Sequence, residues 1–219
     1  MPLWSRLSTR ARQIRTGRES VRICLDVGRQ VCHAAVVQPV THRPDRAPGP
    51  RYSLTDSPLG TILLILGQAG LLGLHFAGHE HSPKVGVDWV RDDSALAPAA
   101  QQLAEYFEGT RSVFKVALDL RGTPFQNTVW EALLRIPWGV TRTYREVAAE
   151  IGRPGAFRAV GAAVGSNPVS IVVPCHRVVG SAGGLVGYGW GLDRKSWLLE
   201  HEGAELMLQG PSHRGRTLA

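Results

Sequence analysis

Apolar positions follow two different rhythms along the chain. In the first, Thr61 to Leu66 and Leu71 to Phe76 are strand-length apolar runs; SPLG precedes them as a turn and GQAG separates them at hairpin length, which predicts two antiparallel strands. Ser94 is placed to cap a helix running to Phe107, with Gly109 beyond it. Phe114, Val116, Leu118 and Leu120 then alternate at period two, as a half-buried strand does. This half reads as a small α+β domain. It shows no nucleophile, phosphate loop or metal cluster, and His75, His79 and His81 read as part of a scaffold.

After Arg121 the rhythm becomes helical. Thr123, Pro124 and Gln126 supply an N-cap, a first-turn proline and a capping-box partner. Phe125, Val129, Leu133 and Ile136 share one face behind them. Thr143 and Glu146 repeat the capping box and open a short helix with Val147, Ala148 and Ile151 inward and Gly152 as its stop. RPGA turns the chain into a third helix, from about Phe157 to Gly165, with Phe157, Val160 and Val164 at helical spacing. Two short helices joined by a tight glycine-containing turn make a helix-turn-helix, an arrangement many folds contain. The third helix adds a surface of Arg158, Ala159, Gly161, Ala162 and Ala163. That is one guanidinium among very small residues, which would let a backbone approach a nucleic-acid groove or another helix closely.

Charge sharpens this picture. The 219 residues carry a net +7, and residues 1–51 account for all of it, with ten arginines against Glu19, Asp26 and Asp45. Within the remainder, Tyr52 to Leu120 is acidic and Arg121 to Arg177 is basic, so a polyanion would meet the second half. Residues 1–50, with THRPDRAPGP at their end, read as a disordered basic extension, either a nonspecific DNA-binding arm or the product of a misassigned start. The first residues lack an apolar stretch, and no run approaches the ~18 uninterrupted apolar residues of a membrane span, so a cytoplasmic protein without a membrane partner is expected. Three cysteines do not make a disulfide framework. Cys24, Cys32 and His33 lack a fourth ligand and CxxC spacing, so neither metal nor cofactor is expected.

The candidate chemistry lies past Asn167. Ile171, Val172 and Val173 read as a short buried strand ending in Pro174, Cys175, His176 and Arg177. A neutral thiol is a poor nucleophile and needs a base or a positive field to become thiolate. His176 is a candidate base, and Glu202, in HEG at the end of the last helix, is a candidate to orient it.

VPCHRV, preceded by RAVGAAVGSNP and followed by GYGWGLDRKSWLLEHEG, with IPWG and TY upstream, resembles the O6-alkylguanine-DNA alkyltransferase family, also called methylated-DNA–protein-cysteine methyltransferases. The resemblance is close over Arg121 to Gly203 and looser over Tyr52 to Leu120. It implies a small antiparallel-sheet, ribonuclease H-like domain at 51–120, a helix-turn-helix, winged-helix-like DNA-binding domain at 121–205, and a flexible tail at 206–219. It further implies a monomer that binds the minor groove of double-stranded DNA, flips the damaged base out, and takes its O6-alkyl group onto Cys175 once and irreversibly. O4-alkylthymine is left open as a second substrate. By resemblance Glu202 orients His176, and His176 takes the Cys175 proton through a water. Asn167 is the hinge between the DNA-binding helices and the cysteine segment. Arg158 is the finger that enters the base stack, with Ala159 and Gly161 beside it on the groove-facing helix. Tyr144 crowds the target phosphate and hydrogen-bonds guanine N3. Tyr188, Gly189 and the Cys175 and Val178 carbonyls hold the base. The sequence departs from the family's YxGG at GYGWG, where Trp190 replaces a glycine and can narrow the pocket, stack on the base or point outward. A noncatalytic damage sensor of similar fold would lack the cysteine. A cysteine hydrolase would leave the helix-turn-helix without use, and a transcription factor would leave the thiol without use.

Overall fold

The computed structural model describes residues 49–204. The basic extension up to residue 48, with Cys24, Cys32 and His33, and the tail beyond Ala204 lie outside the described residues.

The first half is built on a four-stranded sheet of β1 (Arg51–Thr55), β2 (Ile62–Leu66), β3 (Leu71–Phe76) and β4 (Val90–Arg91), in the order β3-β2-β1-β4. The two expected strands, β2 and β3, pair antiparallel. β1 adds antiparallel to the other side of β2, and β4 lies parallel to β1 at the edge. α1 (Asp93–Phe107) packs on β1 and β2 and buries Leu96, Leu103 and Tyr106. Its cap is Asp92 rather than Ser94. The Asp92 carboxylate accepts the Ala95 amide at 2.9 Å and the Ser94 hydroxyl at 2.8 Å, since an anion suits the helix N-terminus better than a neutral hydroxyl.

The expected strand at 114–120 forms no ladder. Phe114, Val116 and Leu118 are half-buried and alternate with exposed neighbours, yet the segment only bridges Leu118 to Leu71, through Leu71 N to Ala117 O (2.8 Å) and Asp119 N to Leu71 O (3.0 Å). Alternation reported burial here, not pairing.

The second half is helical, with α2 (Pro124–Leu134), α3 (Tyr144–Glu150), α4 (Phe157–Gly165) and α5 (Leu192–His201), plus a two-residue parallel ladder of β5 (Arg142–Thr143) and β6 (Val178–Val179). Both capping boxes form as the sequence predicts: Thr123 with Gln126 at α2, and Thr143 with Glu146 at α3. α2 turns Val129, Trp130, Ala132 and Leu133 inward, and the Trp130 indole donates to the Ala163 carbonyl at 2.8 Å, fastening α2 to α4. Burying side chains of this size contributes about 1.5–3 kcal/mol each. Gly152, at φ 71, ends α3 in the left-handed conformation its lack of a Cβ permits, and α3 and α4 pack against one another across the RPGA turn.

One continuous core joins the halves, running from Ile62, Leu74 and Phe76 to Val169, Val173 and Leu198. The free edge of β3 carries part of that junction. Leu74 N bonds the Pro168 carbonyl at 2.9 Å, and Ser170 N bonds the Leu74 carbonyl at 3.3 Å. The first domain therefore hydrogen-bonds the segment that leads to Cys175.

Candidate active site

The expected strand at Ile171 to Val173 is instead a buried turn, and Cys175–Arg177 form a single turn of 3-10 helix. Asn167 is the cause. Its amide donates to the Val173 carbonyl at 2.8 Å and its Oδ1 accepts the Val169 amide at 3.0 Å, closing the loop between them. Ile171 takes φ 68 inside it, a left-handed conformation that costs a β-branched residue on the order of 1–3 kcal/mol. A run of β-branched residues is here bent around an asparagine, and the 3-10 turn carries Cys175 into the wall of a cavity of about 530 Å³. Tyr144, Val164, Asn167, Tyr188 and Trp190 also line that cavity.

Cys175 is 5% exposed and is the free cysteine of the described residues. Burial pushes its thiol up, against hydrogen bonds from Asn167 and Ser170 and the charge of Lys195, so at rest it is a protonated thiol that requires a base. Beside it His176 is completely buried, with Nε2 2.8 Å from Glu202 Oε1. Burial lowers the imidazole pKa in spite of that carboxylate. Burial would also raise Glu202, but hydrogen bonds from His176 and Arg177, and their charges, hold it down to about 2. An ionised carboxylate only accepts, which assigns the histidine proton to Nε2 and leaves Nδ1 as a lone pair. Among the described residues no group bonds Nδ1. A neutral, carboxylate-held imidazole with an open lone pair next to a thiol is the arrangement general-base activation uses.

Three side chains that the sequence reading did not assign complete this network. Arg177 binds Glu202 through Nε (2.7 Å) and Nη2 (3.0 Å), and donates to the Ile136 carbonyl at 2.5 Å. Tyr106, on α1 of the first domain, donates its hydroxyl to Glu202 at 2.8 Å. Lys195 is fully buried on α5, where its ammonium donates to the Val178 (2.6 Å), Val186 (2.7 Å) and Gly187 (3.4 Å) carbonyls, tying down the glycine-rich loop. A signal for it exists: Lys195, Leu198, Leu199 and Glu202 follow the i, i+3, i+4, i+7 pattern, a buried stripe that begins and ends on a charge.

The remaining candidates divide between the cavity and the outer surface. Tyr144 is half-buried at the start of α3, its hydroxyl 3.5 Å from the Val186 carbonyl. Tyr188 has a buried hydroxyl without a partner among the described residues. Gly189 is exposed beside the cavity. Val178 is buried and its carbonyl already accepts from Lys195, which leaves one lone pair. Arg158, Ala159 and Ala162 are exposed on α4, with Gly161 half-exposed and lining the cavity, so one helix face presents a guanidinium and small residues beside the opening. Trp190 does not point outward. It is 6% exposed, donates its indole N–H to Ser170 Oγ at 2.6 Å, and meets His75, Phe76, His79 and His81 edge-on. The first domain is thus more than a scaffold, because His75 and His81 line the cavity with Trp190.

Residues 124–204 match the 6-O-methylguanine DNA methyltransferase, DNA binding domain, and residues 51–120 match the 6-O-methylguanine DNA methyltransferase, ribonuclease-like domain. The chain belongs to the O6-methylguanine-DNA methyltransferase family. Among its relatives, the methylated-DNA–protein-cysteine methyltransferase of Mycobacterium tuberculosis is 49% identical over 151 residues, 69% of this chain and 91% of the relative. That of Methanosarcina barkeri is 46% identical over 151 residues, 69% of this chain and 96% of the relative. The crystal structure of Mycobacterium tuberculosis OGT in complex with DNA superposes with a TM-score of 0.65 at 48% identity, covering 70% of this chain and 92% of that one. The family's two-domain α+β architecture, a small sheet domain followed by a helical one, is the architecture found here. Among the described residues, no helix is long and apolar enough to cross a membrane, and no group of three His, Cys, Asp or Glu side chains is arranged to hold a metal.

Proposed function

We propose that this methyltransferase-family chain repairs DNA by direct reversal, moving a methyl or other alkyl group from O6 of guanine in duplex DNA to Cys175 Sγ. The observation that carries the reading is the Cys175 thiol on the wall of a cavity large enough to admit a purine, with a Glu202-held neutral His176 beside it. His176 Nδ1 takes the thiol proton through a water. The sulfur attacks the alkyl carbon, the C–O6 bond breaks, and the guanine departs as an anion that is neutralised by a proton. Tyr144 at N3 and backbone amides near Gly189 at O6 stabilise that anion. Tyr188 and the Cys175 and Val178 carbonyls position the ring, and Asn167 holds the cysteine loop. The product is a thioether with no route back, so each molecule reacts once.

The exposed small-residue face of α4 supports docking in the minor groove, with Ala159 and Gly161 allowing close approach and Arg158 filling the gap a flipped base leaves. The Mycobacterium tuberculosis relative, whose structure is in complex with DNA, supports the same partner. The indole of Trp190, held by four rings, is a fixed wall and favours methyl over bulky groups. On this reading one chain supplies the whole site and acts as a cytoplasmic monomer, in domains at 51–120 and 121–205.

Mixing the protein with duplex DNA containing O6-methylguanine should add one methyl to the Cys175 peptide and none to Cys175→Ala. Intact mass spectrometry showing repeated demethylation by a protein whose Cys175 stays unmodified would overturn the proposal.

A further inference from the structure

Ser170 places a fully buried hydroxyl in the same cavity wall as Cys175. Its Oγ lies 2.6 Å from Trp190 Nε1. An indole N–H can only donate, so Ser170 is the acceptor in that bond and its own proton must go elsewhere. A buried hydroxyl rarely leaves its proton unplaced. Among the described residues Ser170 Oγ has no other side-chain partner, Cys175 lines the same cavity and offers its sulfur as an acceptor, and Ser170 and Asn167 both favour the thiolate form of that sulfur.

Neither partner is free to turn away. Ser170 is held by its backbone: its amide bonds the Leu74 carbonyl on β3 at 3.3 Å, and its carbonyl accepts Val172 N at 2.8 Å. Trp190 is held by its ring, with centroids of His75 at 5.6 Å, Phe76 at 5.7 Å, His79 at 5.3 Å and His81 at 6.4 Å.

We propose that Trp190 and Ser170 form a donor relay onto Cys175: the indole N–H fixes the Ser170 hydroxyl as a donor, and that hydroxyl stabilises the sulfur anion that attacks. On this proposal Ser170 donates to the reacting sulfur itself and is a catalytic residue. Trp190 acts through it and is a positioning residue. The other titratable groups about the sulfur are Lys195 from α5, whose charge favours the anion, Tyr144 from α3 and Tyr188 from the glycine-rich loop, and the adjacent His176 backed by Glu202, while His75 and His81 of the first domain line the same cavity. The relay adds to their field a bond with fixed direction.

The inference rests on the reading of Cys175 as the alkyl acceptor, but the thiolate can be measured without DNA. The full-length protein, Ser170→Ala, Trp190→Phe and the double variant are titrated from pH 5 to 10 by their rate of Cys175 alkylation with iodoacetamide, followed by peptide mass. Methyl transfer from duplex O6-methylguanine is timed in parallel. Loss of a hydrogen bond to an anion predicts a thiol pKa about one unit higher in Ser170→Ala, with about tenfold less thiolate and about tenfold slower transfer at neutral pH. Trp190→Phe, which keeps the packing and loses the donor, shifts the profile in the same direction by less. The double variant matches Ser170→Ala, since the two act in series. An unchanged iodoacetamide profile in Ser170→Ala overturns the relay, as do additive shifts in the double variant. Failure of the unsubstituted protein to accept methyl from DNA overturns the reading of the site and leaves the thiolate profile to judge the relay.

Discussion

Glu202→Gln isolates the charge at the centre of the site. The carboxylate is 3% exposed and accepts from His176, Tyr106 and two nitrogens of Arg177, so the substitution keeps the shape and leaves the Arg177 guanidinium buried without its counter-charge. Removing one partner of a buried ion pair costs about 3–5 kcal/mol. Linkage gives an independent figure. The Glu202 pKa falls from its ordinary 4.5 to about 2 in the folded protein, equivalent to about 3 kcal/mol of stability when the group is ionised in both states. The folded pKa is the lower one, so this contribution is present above about pH 4.5 and is lost as pH falls towards 2, with about 1 kcal/mol left near pH 3. At about 2–4 °C per kcal/mol for a chain of this size, Glu202→Gln should melt roughly 6–20 °C lower at pH 7, and the gap should narrow at pH 3. Single-turnover methyl transfer should fall by about 10²-fold or more, because the imidazole loses the group that fixes its tautomer. Thermal melts of both proteins across pH 3–8 test the first claim. A variant that melts with the unsubstituted protein at pH 7, or a gap that widens in acid, would refute the reasoning.

Arg158→Ala should slow reaction with duplex O6-methylguanine at least tenfold while changing reaction with the free modified base by less than twofold, and equal losses on both substrates would remove Arg158 from base extrusion. Burial pushes Lys195 down to about 8 from an ordinary 10.5, so between those pH values the unfolded chain holds a proton that the folded chain has released, and its contribution to stability rises with pH across that window. Cys175 and the buried tyrosines, whose pKa values are raised, act in the opposite direction over that range, so the Lys195 contribution is read as a difference: urea titrations should show the stability of the unsubstituted protein relative to Lys195→Met rising with pH between about 8 and 10.5. Thr143→Ala removes the cap of α3 and should cost about 1 kcal/mol, visible as a lower urea midpoint with an unchanged m-value.

Local chemistry was legible where it is self-contained. The starts of α2 and α3 are written in four residues each, Thr123 to Gln126 and Thr143 to Glu146, and both caps form as read. β1 escaped because RYSLT has little alternation of its own and becomes a strand by pairing with β2 from Arg51↔Leu66 to Thr55↔Ile62. Ile171 to Val173 misled for the opposite reason: three β-branched residues have strand chemistry, but Asn167, several residues earlier, bends them into a turn. Cys175, His176 and Glu202 could be nominated because their chemistry is recognisable in a linear motif, and the structure brings the last two to 2.8 Å. Tyr106 and Ser170 could not, since nothing near them in sequence distinguishes a tyrosine that reaches Glu202 across 96 positions from one that fills a core.

The bonds between the β3 edge and Pro168 to Ser170 also bear on how the molecule can be divided. A reactive loop that takes part of its backbone pairing from another domain is templated by that domain. Cutting the chain near residue 121 should therefore give two fragments, each deficient in a different way: one with an open sheet edge, the other with a cysteine loop missing its partner strand. Mixed together, they should complement, and the reappearance of a reactive thiol would report the moment the edge is covered.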